Sequence, residues 1–542
     1  MKRLMFLLSC AFMAVTNSLA CTNFIAGKAA TTDGNILVTY AADSYALYGF
    51  LRYQPAADHA EGEMRKIVDW DTGKPLGEIP QVPHTYSVVG NMNEHQLVIG
   101  ETTYGGREVL YGETGIDYGS LIYIALERCR TAREAIECMT SLVKEYGYAS
   151  EGESFTIADT EEVWILEMIG KGKNLKGAVW AAARIPDDCI SGHANQARIT
   201  QIDFSDRKHK NWMWAEDVVK FARENGWFDG KDKDFSFSDT YNPLDFSGLY
   251  ICEARVWSFF RRFADMEKYY DYVIGNSSER MPLYIKPDRK VSLQDMKLSM
   301  RDQYEGTPLD ITQGTDAGPW NTKLRYGSLG FKLDSLQYWY ERPVATQQTG
   351  WSYVAQIRPN MPDHIGGIFW FGVDDAAMSM YVPMYCTVNS VPECFAEGNG
   401  DLYTYSPTSA FWAFNRTANW AYTKYSAMMP DIRLVQQEWD EHFEQLTPSI
   451  DAYVAEMSPA DARKTLTRIC GMQAEAVTDA WNKLFEYLLV KYLDGQQRKE
   501  TGSPVNGRGR FERNEWGQPV GPHRYPFPED YLRKIAPEVA HE

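Results

Sequence analysis

Cys21 is the residue whose type and position could do chemistry most directly, because it follows a stretch with the pattern of an export leader. Residues 1–20 begin with basic residues, continue with an apolar stretch over 4–15, and carry the small residues Ser18 and Ala20 before a predicted cut. Cleavage after Ala20 would give Cys21 both a thiol and a free α-amine. An α-amine has a pKa of about 7.7–8.0, so it can accept the thiol proton near neutral pH. The resulting thiolate can attack a carbonyl carbon and form an acyl-enzyme.

The same position has two other interpretations. A cysteine directly after a leader is also the lipid-modified residue of bacterial lipoproteins. That motif requires an aliphatic residue three positions before the cysteine, where this chain has Ser18; the aliphatic Leu19 lies one position further on. A lipid-anchored surface protein that binds ligands with its 16 Trp and 33 Tyr residues is therefore the less favoured alternative. The last interpretation is that Cys21 merely marks the end of the leader. The leader itself predicts a periplasmic or extracellular protein, with 1–20 removed as a signal peptide.

Other common catalytic motifs do not occur in the sequence. There is no HExxH, CxxC, GxSxG, Walker A or GxGxxG pattern. The nine histidines are scattered, and only His193 lies in a distinctive polar segment, SGHANQ, so that a Cys21–His193 dyad is conceivable. A terminal cysteine needs no histidine if its own amine acts as the base. No pattern indicates a metal ion or an organic cofactor.

Composition excludes two classes of partner. The 542 residues include 55 Lys and Arg against 73 Asp and Glu, a formal net charge of −18. Nucleic-acid binding needs a basic surface, and anionic membranes attract basic segments, so neither partner is expected. Beyond the N-terminus no run of 18 apolar residues indicates a stable membrane span.

The elements that must position Cys21 are strand pairs and long helical blocks. Strands are predicted at 21–27, 34–43, 85–90, 96–103, 153–158, 162–168, 177–183, 350–358 and 366–372. Helices are predicted at 119–146 with a break near Thr131, at 213–225, 254–271 and 293–304, and over most of 408–492. The last 45 residues, rich in Gly, Pro and Arg, indicate an irregular tail. Regular βαβ alternation is absent, which favours an α+β fold of antiparallel sheets with helices on their outer faces.

Five segments resemble, in order, the cysteine dipeptidases of the dipeptidase A type. They are CTNFIAGKAATTDGNILVTYAADSY from Cys21, GNMNEHQLVIGETTYGGRE (90–108), ISGHANQARI (190–199), YICEARVW (250–257) and PDRKVSLQDMKLSMRDQYEGT (287–307). These dipeptidases belong to the choloylglycine hydrolase and penicillin V acylase branch of the N-terminal nucleophile (Ntn) hydrolases. The resemblance implies a four-layer αββα sandwich over 21–430, followed by a helical C-terminal extension and tail over 431–542.

The resemblance also implies roles for individual residues. Cys21 matches the nucleophile, and Asp43 matches the acidic residue that contacts the amine of the nucleophile. Asn195 matches the amide that helps to form the oxyanion hole, and Arg255 matches an arginine beside the nucleophile. Thr103 lies near a second oxyanion position, with Thr102 adjacent.

One position departs from the family pattern. Many relatives carry arginine three residues before the acid, where this chain has Tyr40, so a cation that would lower the pKa of the thiol is missing locally. Arg255 or the α-ammonium would have to supply that positive charge.

Each of these residues also has a structural interpretation. Asp43 could cap the end of a strand, and Asn195 could satisfy backbone groups in a loop. Arg255 could belong to a solvated basic helix face together with Arg261 and Arg262. The functional interpretation is preferred because all the positions coincide with one site pattern.

The sequence therefore predicts a dipeptidase that cleaves short peptides through an acyl-enzyme on Cys21. Tyr40 and Glu101 are predicted to contact the substrate. The ammonium group of a dipeptide requires a carboxylate partner, such as Asp43 or Glu101. The nearest alternative is an N-acyl amide hydrolase of the bile-salt or penicillin acylase type. Such an enzyme would need an apolar, aromatic pocket for its substrate, with no buried carboxyl group in it.

Overall fold

The computed structural model describes residues 21–325, 329–501, 511–521 and 527–539, and the predicted leader at 1–20 lies outside the described residues. The chain forms the predicted mixed α+β fold, with antiparallel sheets and long C-terminal helices. No helix in the described part is both long and apolar enough to cross a bilayer.

The strands lie mainly in the first two thirds of the chain. In chain order they are β1 (Asn23–Ala26), β2 (Ile36–Asp43), β3 (Tyr53–Gln54), β4 (Ala57–Asp58), β5 (Met64–Val68), β6 (Pro75–Pro80), β7 (His84–Thr85), β8 (Val88–Val89), β9 (Met92–Asn93), β10 (Val98–Gly105), β11 (Gly152–Ala158), β12 (Val163–Gly170), β13 (Ala178–Ile185), β14 (Ile190–His193), β15 (Trp212–Trp214), β16 (Tyr284–Ile285), β17 (Gly330–Leu333), β18 (Leu336–Trp339), β19 (Thr349–Ile357), β20 (Ile368–Val373) and β21 (Val382–Tyr385).

The longest helices follow the last strand. In chain order the α-helices are α1 (Tyr118–Arg128), α2 (Ala132–Tyr146), α3 (Val218–Glu224), α4 (Phe237–Tyr241), α5 (Ala254–Phe260), α6 (Tyr270–Val273), α7 (Leu293–Met300), α8 (Asp363–Gly366), α9 (Ala410–Tyr422), α10 (Tyr425–Ala455), α11 (Pro459–Lys491) and α12 (Glu529–Val539). A π-helix at Gly248–Glu253 runs directly into α5.

Two larger sheets carry most of the strands, and their neighbouring strands are antiparallel. One has the order β16-β14-β1-β2-β19-β20-β21, and the other has the order β15-β13-β12-β11-β10-β9-β8-β3. Both contain neighbouring strands that are distant in sequence: β1 lies between β2 and β14 in the first sheet, and β3 pairs with β8 in the second. This topology brings the start of the described chain into the middle of the first sheet.

The pairing of β1 with β2 fixes the position of Cys21. Ile25 lies opposite Val38, and a bridge joins Thr22 to Ala41. Cys21 is therefore placed beside the C-terminal end of β2, which ends at Asp43. An Asp33-containing turn connects the two strands, as the Asp-Gly pair predicts.

A glycine allows the second sheet to approach this region. A Cβ atom on Gly100 of β10 would lie 2.4 Å from the Asn23 side chain and 2.9 Å from the hydroxyl of Tyr353. Only glycine fits such a close approach. Thr156 of β11 also donates a hydrogen bond to Asn23 Oδ1 at 2.7 Å. These contacts bring β10 and β11 next to β1.

Helices α1 and α2 pack on the second sheet through one apolar cluster. Leu121, Ile136 and Met139 from the helices are buried with Phe155 and Leu166 from the strands. The break between the helices is set by Thr131, whose side chain accepts a hydrogen bond from Glu134 N–H while Glu134 caps the Thr131 N–H.

Three predicted elements differ in the structure. The helix predicted over 213–225 begins only at Val218, because Trp212–Trp214 pairs with β13 as a strand. The helix predicted over 254–271 ends at Phe260, and the Asp265 side chain accepts the Glu267 N–H in a local turn that competes with the helix. The predicted irregular tail contains the helix α12.

Candidate active site

The thiol of Cys21 lies in a buried polar contact with two side chains. Cys21 is 1% exposed. Its Sγ lies 3.4 Å from the hydroxyl of Tyr40 and donates to Glu101 Oε1 at 3.6 Å. The Tyr40 hydroxyl donates to the same carboxylate oxygen at 2.5 Å. The structure thus brings together the predicted nucleophile and both predicted substrate-contacting residues.

Burial raises the pKa of the Cys21 thiol well above its usual value, and the carboxylates of Glu101 and Asp43 raise it further. Hydrogen bonds from the Tyr40 hydroxyl and from the backbone N–H of Asp43 act in the opposite direction. The thiol is therefore protonated at neutral pH in this environment. Nucleophilic attack needs a base that takes up the proton.

Arg255 is buried and lies against the backbone of the nucleophile. Its Nη1 donates to the carbonyl of Cys21 at 2.7 Å and to Thr22 Oγ1 at 2.8 Å. Its Nε donates to the carbonyl of Ile251 in the preceding π-helix at 2.9 Å. Arg255 is 0% exposed, so its interpretation as part of a solvated basic face is wrong. π-Helical turns of this kind are frequent at functional sites.

Asn195 connects Arg255 to the edge of β10. Its Oδ1 accepts from Arg255 Nη2 at 2.9 Å, and its Nδ2 donates to the carbonyl of Thr103 at 2.7 Å. The backbone of Asn195 has a φ of +59°, a left-handed conformation in which asparagine is enriched. The loop after β14 is therefore bent so that the amide reaches β10 of the other sheet.

The carboxylate of Asp43 is held by two buried side chains. Arg342 Nη2 donates to Asp43 Oδ2 at 2.6 Å, and Thr349 Oγ1 donates to Asp43 Oδ1 at 2.6 Å. Burial and the positive charge of Arg342 lower the pKa of Arg255, which indicates that the two guanidinium groups are neighbours. Arg342 therefore supplies the cation that pairs with Asp43.

Thr103 and Glu153 extend the site along β10 and β11. Thr103 Oγ1 donates to Glu153 Oε1 at 2.7 Å. The neighbouring Thr102 is fully buried and bonds to His193 instead, so Thr103 is the threonine that reaches the cluster of Asn195 and Glu153.

His193 is a core residue with both ring nitrogens occupied. Nδ1 lies 2.7 Å from Thr102 Oγ1, and Nε2 lies 2.8 Å from Thr156 Oγ1. Burial lowers the pKa of His193 to about 3, so the ring is neutral at physiological pH. These contacts disfavour a Cys21–His193 dyad.

Sequence reasoning missed Arg342 and Glu153. Arg342 lies in a loop whose sequence, ERPVAT, has no motif. The sequence contains a weak indication for Glu153, because this acidic residue is the second residue of a strand whose other residues are almost all apolar or small. A buried charge in such a strand indicates a partner or a function.

Comparison with known proteins finds peptidases among the proteins similar to this chain. The model of the family described as Peptidase family C69 matches residues 55–438, which is more than half of the chain. A "Probable dipeptidase" of Salmonella dublin is 25% identical over 391 residues, covering 68% of this chain and 81% of the relative. A "Probable dipeptidase" of Latilactobacillus sakei is 26% identical, with 70% and 76% covered. A "Probable dipeptidase B" of Lactococcus lactis subsp. lactis is 24% identical, with 81% and 90% covered.

Proposed function

This chain belongs to peptidase family C69, and from that membership we propose that it is a cysteine dipeptidase that hydrolyses the single peptide bond of dipeptides through an acyl-enzyme on Cys21. The printed names of the relatives support this activity. The resemblance to dipeptidase A enzymes, which begins at Cys21, supports the choice of nucleophile.

The observation that carries the proposal is the buried carboxyl group beside the thiol. Glu101 Oε1 lies 3.6 Å from Cys21 Sγ, and Glu101 is almost completely buried. A dipeptide brings an ammonium group that can pair with this carboxylate, whereas the acyl chain of a bile salt or a penicillin would meet an uncompensated buried acid. The site therefore favours a dipeptide over an N-acyl amide.

The proposed reaction uses the α-amine of Cys21 as its base. The amine takes the thiol proton, the thiolate adds to the peptide carbonyl, and the oxygen becomes negatively charged. Asn195 would donate its amide N–H to that oxygen. The C–N bond then breaks, the leaving amine takes the proton from the α-ammonium, and the acyl group stays on sulfur. Water activated by the same amine hydrolyses the thioester and regenerates the enzyme.

The fold and the location in the cell form part of the proposal. Two antiparallel sheets, with α1 and α2 packed on one of them, support the αββα arrangement of Ntn hydrolases. The domain would span 21–430, with 431–542 as a helical extension and tail. Removal of 1–20 by a signal peptidase would release the enzyme into the periplasm or the medium.

Hydrolysis of matched substrates tests the activity. Purified protein that begins at Cys21 is expected to cleave unmodified dipeptides and to cleave their N-acetylated forms far more slowly. Cys21→Ala is expected to lose activity by several orders of magnitude while remaining folded. Thiol alkylation should silence the wild type and also a Cys138→Ala control, which lacks the most exposed cysteine of the described residues. Faster cleavage of N-acetylated dipeptides, bile salts or penicillin V would refute the dipeptidase activity and support the acylase alternative.

The intact mass of exported protein tests the alternative from another class. A free Cys21 terminus is expected. A diacylglyceryl-modified cysteine would support a lipid-anchored binding protein and exclude the terminal-amine mechanism.

A further inference from the structure

Glu101 and Glu153 are two buried carboxyl groups on neighbouring strands. Thr103 of β10 lies opposite Glu153 of β11, so Glu101, two residues along, points to the same face of the sheet. Glu101 is 3% exposed and Glu153 is 0% exposed. Their Oε1 atoms accept hydrogen bonds from Tyr40 and from Thr103, respectively.

The remaining oxygen of each carboxyl group is also buried. Among the described residues, neither Glu101 Oε2 nor Glu153 Oε2 receives an N–H or O–H from any residue outside this pair. Glu101 raises the pKa of Glu153, and Glu153 lowers the pKa of Glu101, so each carboxyl group acts on the other. Two neighbouring buried carboxyl groups are not both ionised, because like charges disfavour each other. The pair must therefore hold a proton.

The surroundings of the pair keep that proton in place. Burial raises the pKa of Glu101 to about 7 and raises the pKa of Glu153 well above its usual value. The ionisable side chains that most influence the pair, or are most influenced by it, are Cys21, Tyr40, Asp71, Tyr104, Tyr118, Tyr148, Glu151 and Tyr353. None of these described side chains is a cation, and the proposed α-amine of Cys21 is the positive charge that cleavage after Ala20 would add. Glu101 therefore ionises first. Glu153 keeps its proton and can donate a hydrogen bond to Glu101.

We propose that Glu153 is a positioning residue of the reaction: it stays protonated, donates a hydrogen bond to Glu101, and so presents Glu101 as the single negative charge that receives the substrate's ammonium beside the thiol. This inference rests on the proposed dipeptidase function. A second ionised carboxylate would oppose formation of the thiolate, since negative charge near Cys21 disfavours it. Without a donor at position 153, Glu101 would ionise less readily and could turn away from the thiol.

Two substitutions separate this role from simple packing. Glu153→Gln keeps an N–H donor toward Glu101, so its KM for dipeptides should remain within about twofold of the wild type. Glu153→Met has a similar size and no donor, so KM should rise about tenfold or more, as expected for a lost hydrogen bond to a charged group. In Glu153→Met, the decrease of KM with increasing pH should also occur at a higher pH than in the wild type. Equal pH profiles for Glu153→Met and the wild type would refute the inference, as would a Gln variant that behaves like the Met variant.

Infrared difference spectroscopy tests the shared proton without using activity. In a Cys21→Ala background at pH of about 8, where an ordinary glutamate is ionised, the protein should show a protonated-carboxyl band that Glu153→Gln removes. Glu127→Gln changes another buried glutamate, which is paired with Arg65, and should leave the band unchanged. A band that survives in Glu153→Gln would overturn the inference while leaving dipeptidase activity untouched. If the wild type had no dipeptidase activity, the proposed function itself would be refuted.

Discussion

Arg342 and Asp43 form a buried ion pair, with Nη2 and Oδ2 2.6 Å apart, at the end of the strand that lies beside Cys21. Thr349 binds the other carboxylate oxygen. Because the carboxylate of Asp43 raises the pKa of the Cys21 thiol, this ion pair is part of the electrostatic environment of the nucleophile.

Loss of Arg342 should therefore destabilise the protein and reduce activity. Arg342→Met leaves a buried carboxylate without its cation, which typically costs about 3–5 kcal/mol of unfolding free energy. Urea unfolding and kcat/KM would measure both effects. Arg433→Met is the matched control, because the Arg433–Glu305 pair is 61% and 40% exposed and such pairs contribute about 0–1 kcal/mol. Equal effects of the two substitutions would show that the Arg342–Asp43 pair has no special importance.

Substitution of Asn195 should slow the chemical step. An amide N–H directed at a developing oxyanion is worth about 3 kcal/mol, or roughly a hundredfold in kcat. Asn195→Gly removes the amide and tolerates the φ of +59°, so it separates loss of the donor from the strain that Asn195→Ala adds. Both variants should lower kcat strongly and change KM little. Asn195→Asp should be at least as harmful, because it places negative charge against the oxyanion. If only KM changed, Asn195 would be a substrate-positioning residue.

The KM for dipeptides should depend on the ionisation of Glu101. The pKa of Glu101 is about 7, so the carboxyl is neutral below that pH and cannot pair with an ammonium group. KM should fall as the pH rises through 7, and it should rise again above about 8 as the substrate loses its own amino proton. Glu101→Gln should have a raised KM without the acid limb. His193 has a pKa of about 3 and contributes nothing to this limb. A KM that stays constant between about pH 6 and pH 8 would contradict the role of Glu101.

Local signals were sufficient for many elements of the fold. The helix break predicted near Thr131 lies at the start of α2, where the structure has a capping box. The strands predicted at 21–27 and 34–43 lie close to the observed β1 and β2. The prediction was wrong at Trp212–Trp214, because pairing with β13 decides the conformation there and an apolar helical pattern does not show it.

The same distinction holds for the site. Cys21, Tyr40, Glu101, Asn195 and Arg255 lie in segments with recognisable motifs, and the structure brings them together. The partner of Asp43 could not be predicted, because Arg342 is 299 positions away and its loop has no motif. The same applies to the contact between Glu101 and Glu153, since the register of β10 and β11 creates it.

Export should also activate the enzyme. The proposed base is the α-amine of Cys21, and it exists only after the bond from Ala20 is cut. Before the cut this nitrogen belongs to an amide, which cannot take up the thiol proton. Protein that begins with Met directly before Cys21, and whose Met is trimmed in the cell, should hydrolyse dipeptides. Protein that carries a stable extension of a few residues should fold equally well and be inactive.

Mass spectrometry must accompany this comparison, because self-cleavage at Cys21 would produce the active terminus from an extended chain. Two features of the structure support this prediction. The buried thiol has a raised pKa and so needs a base, and both ring nitrogens of His193 are hydrogen bonded to threonines. His193 is therefore not available to replace the amine. An extended protein that is intact by mass and as active as the trimmed one would refute the terminal-amine mechanism. In that case the base would have to be Glu101, which already accepts the thiol hydrogen at 3.6 Å, and Glu101→Gln would then abolish kcat rather than raise KM.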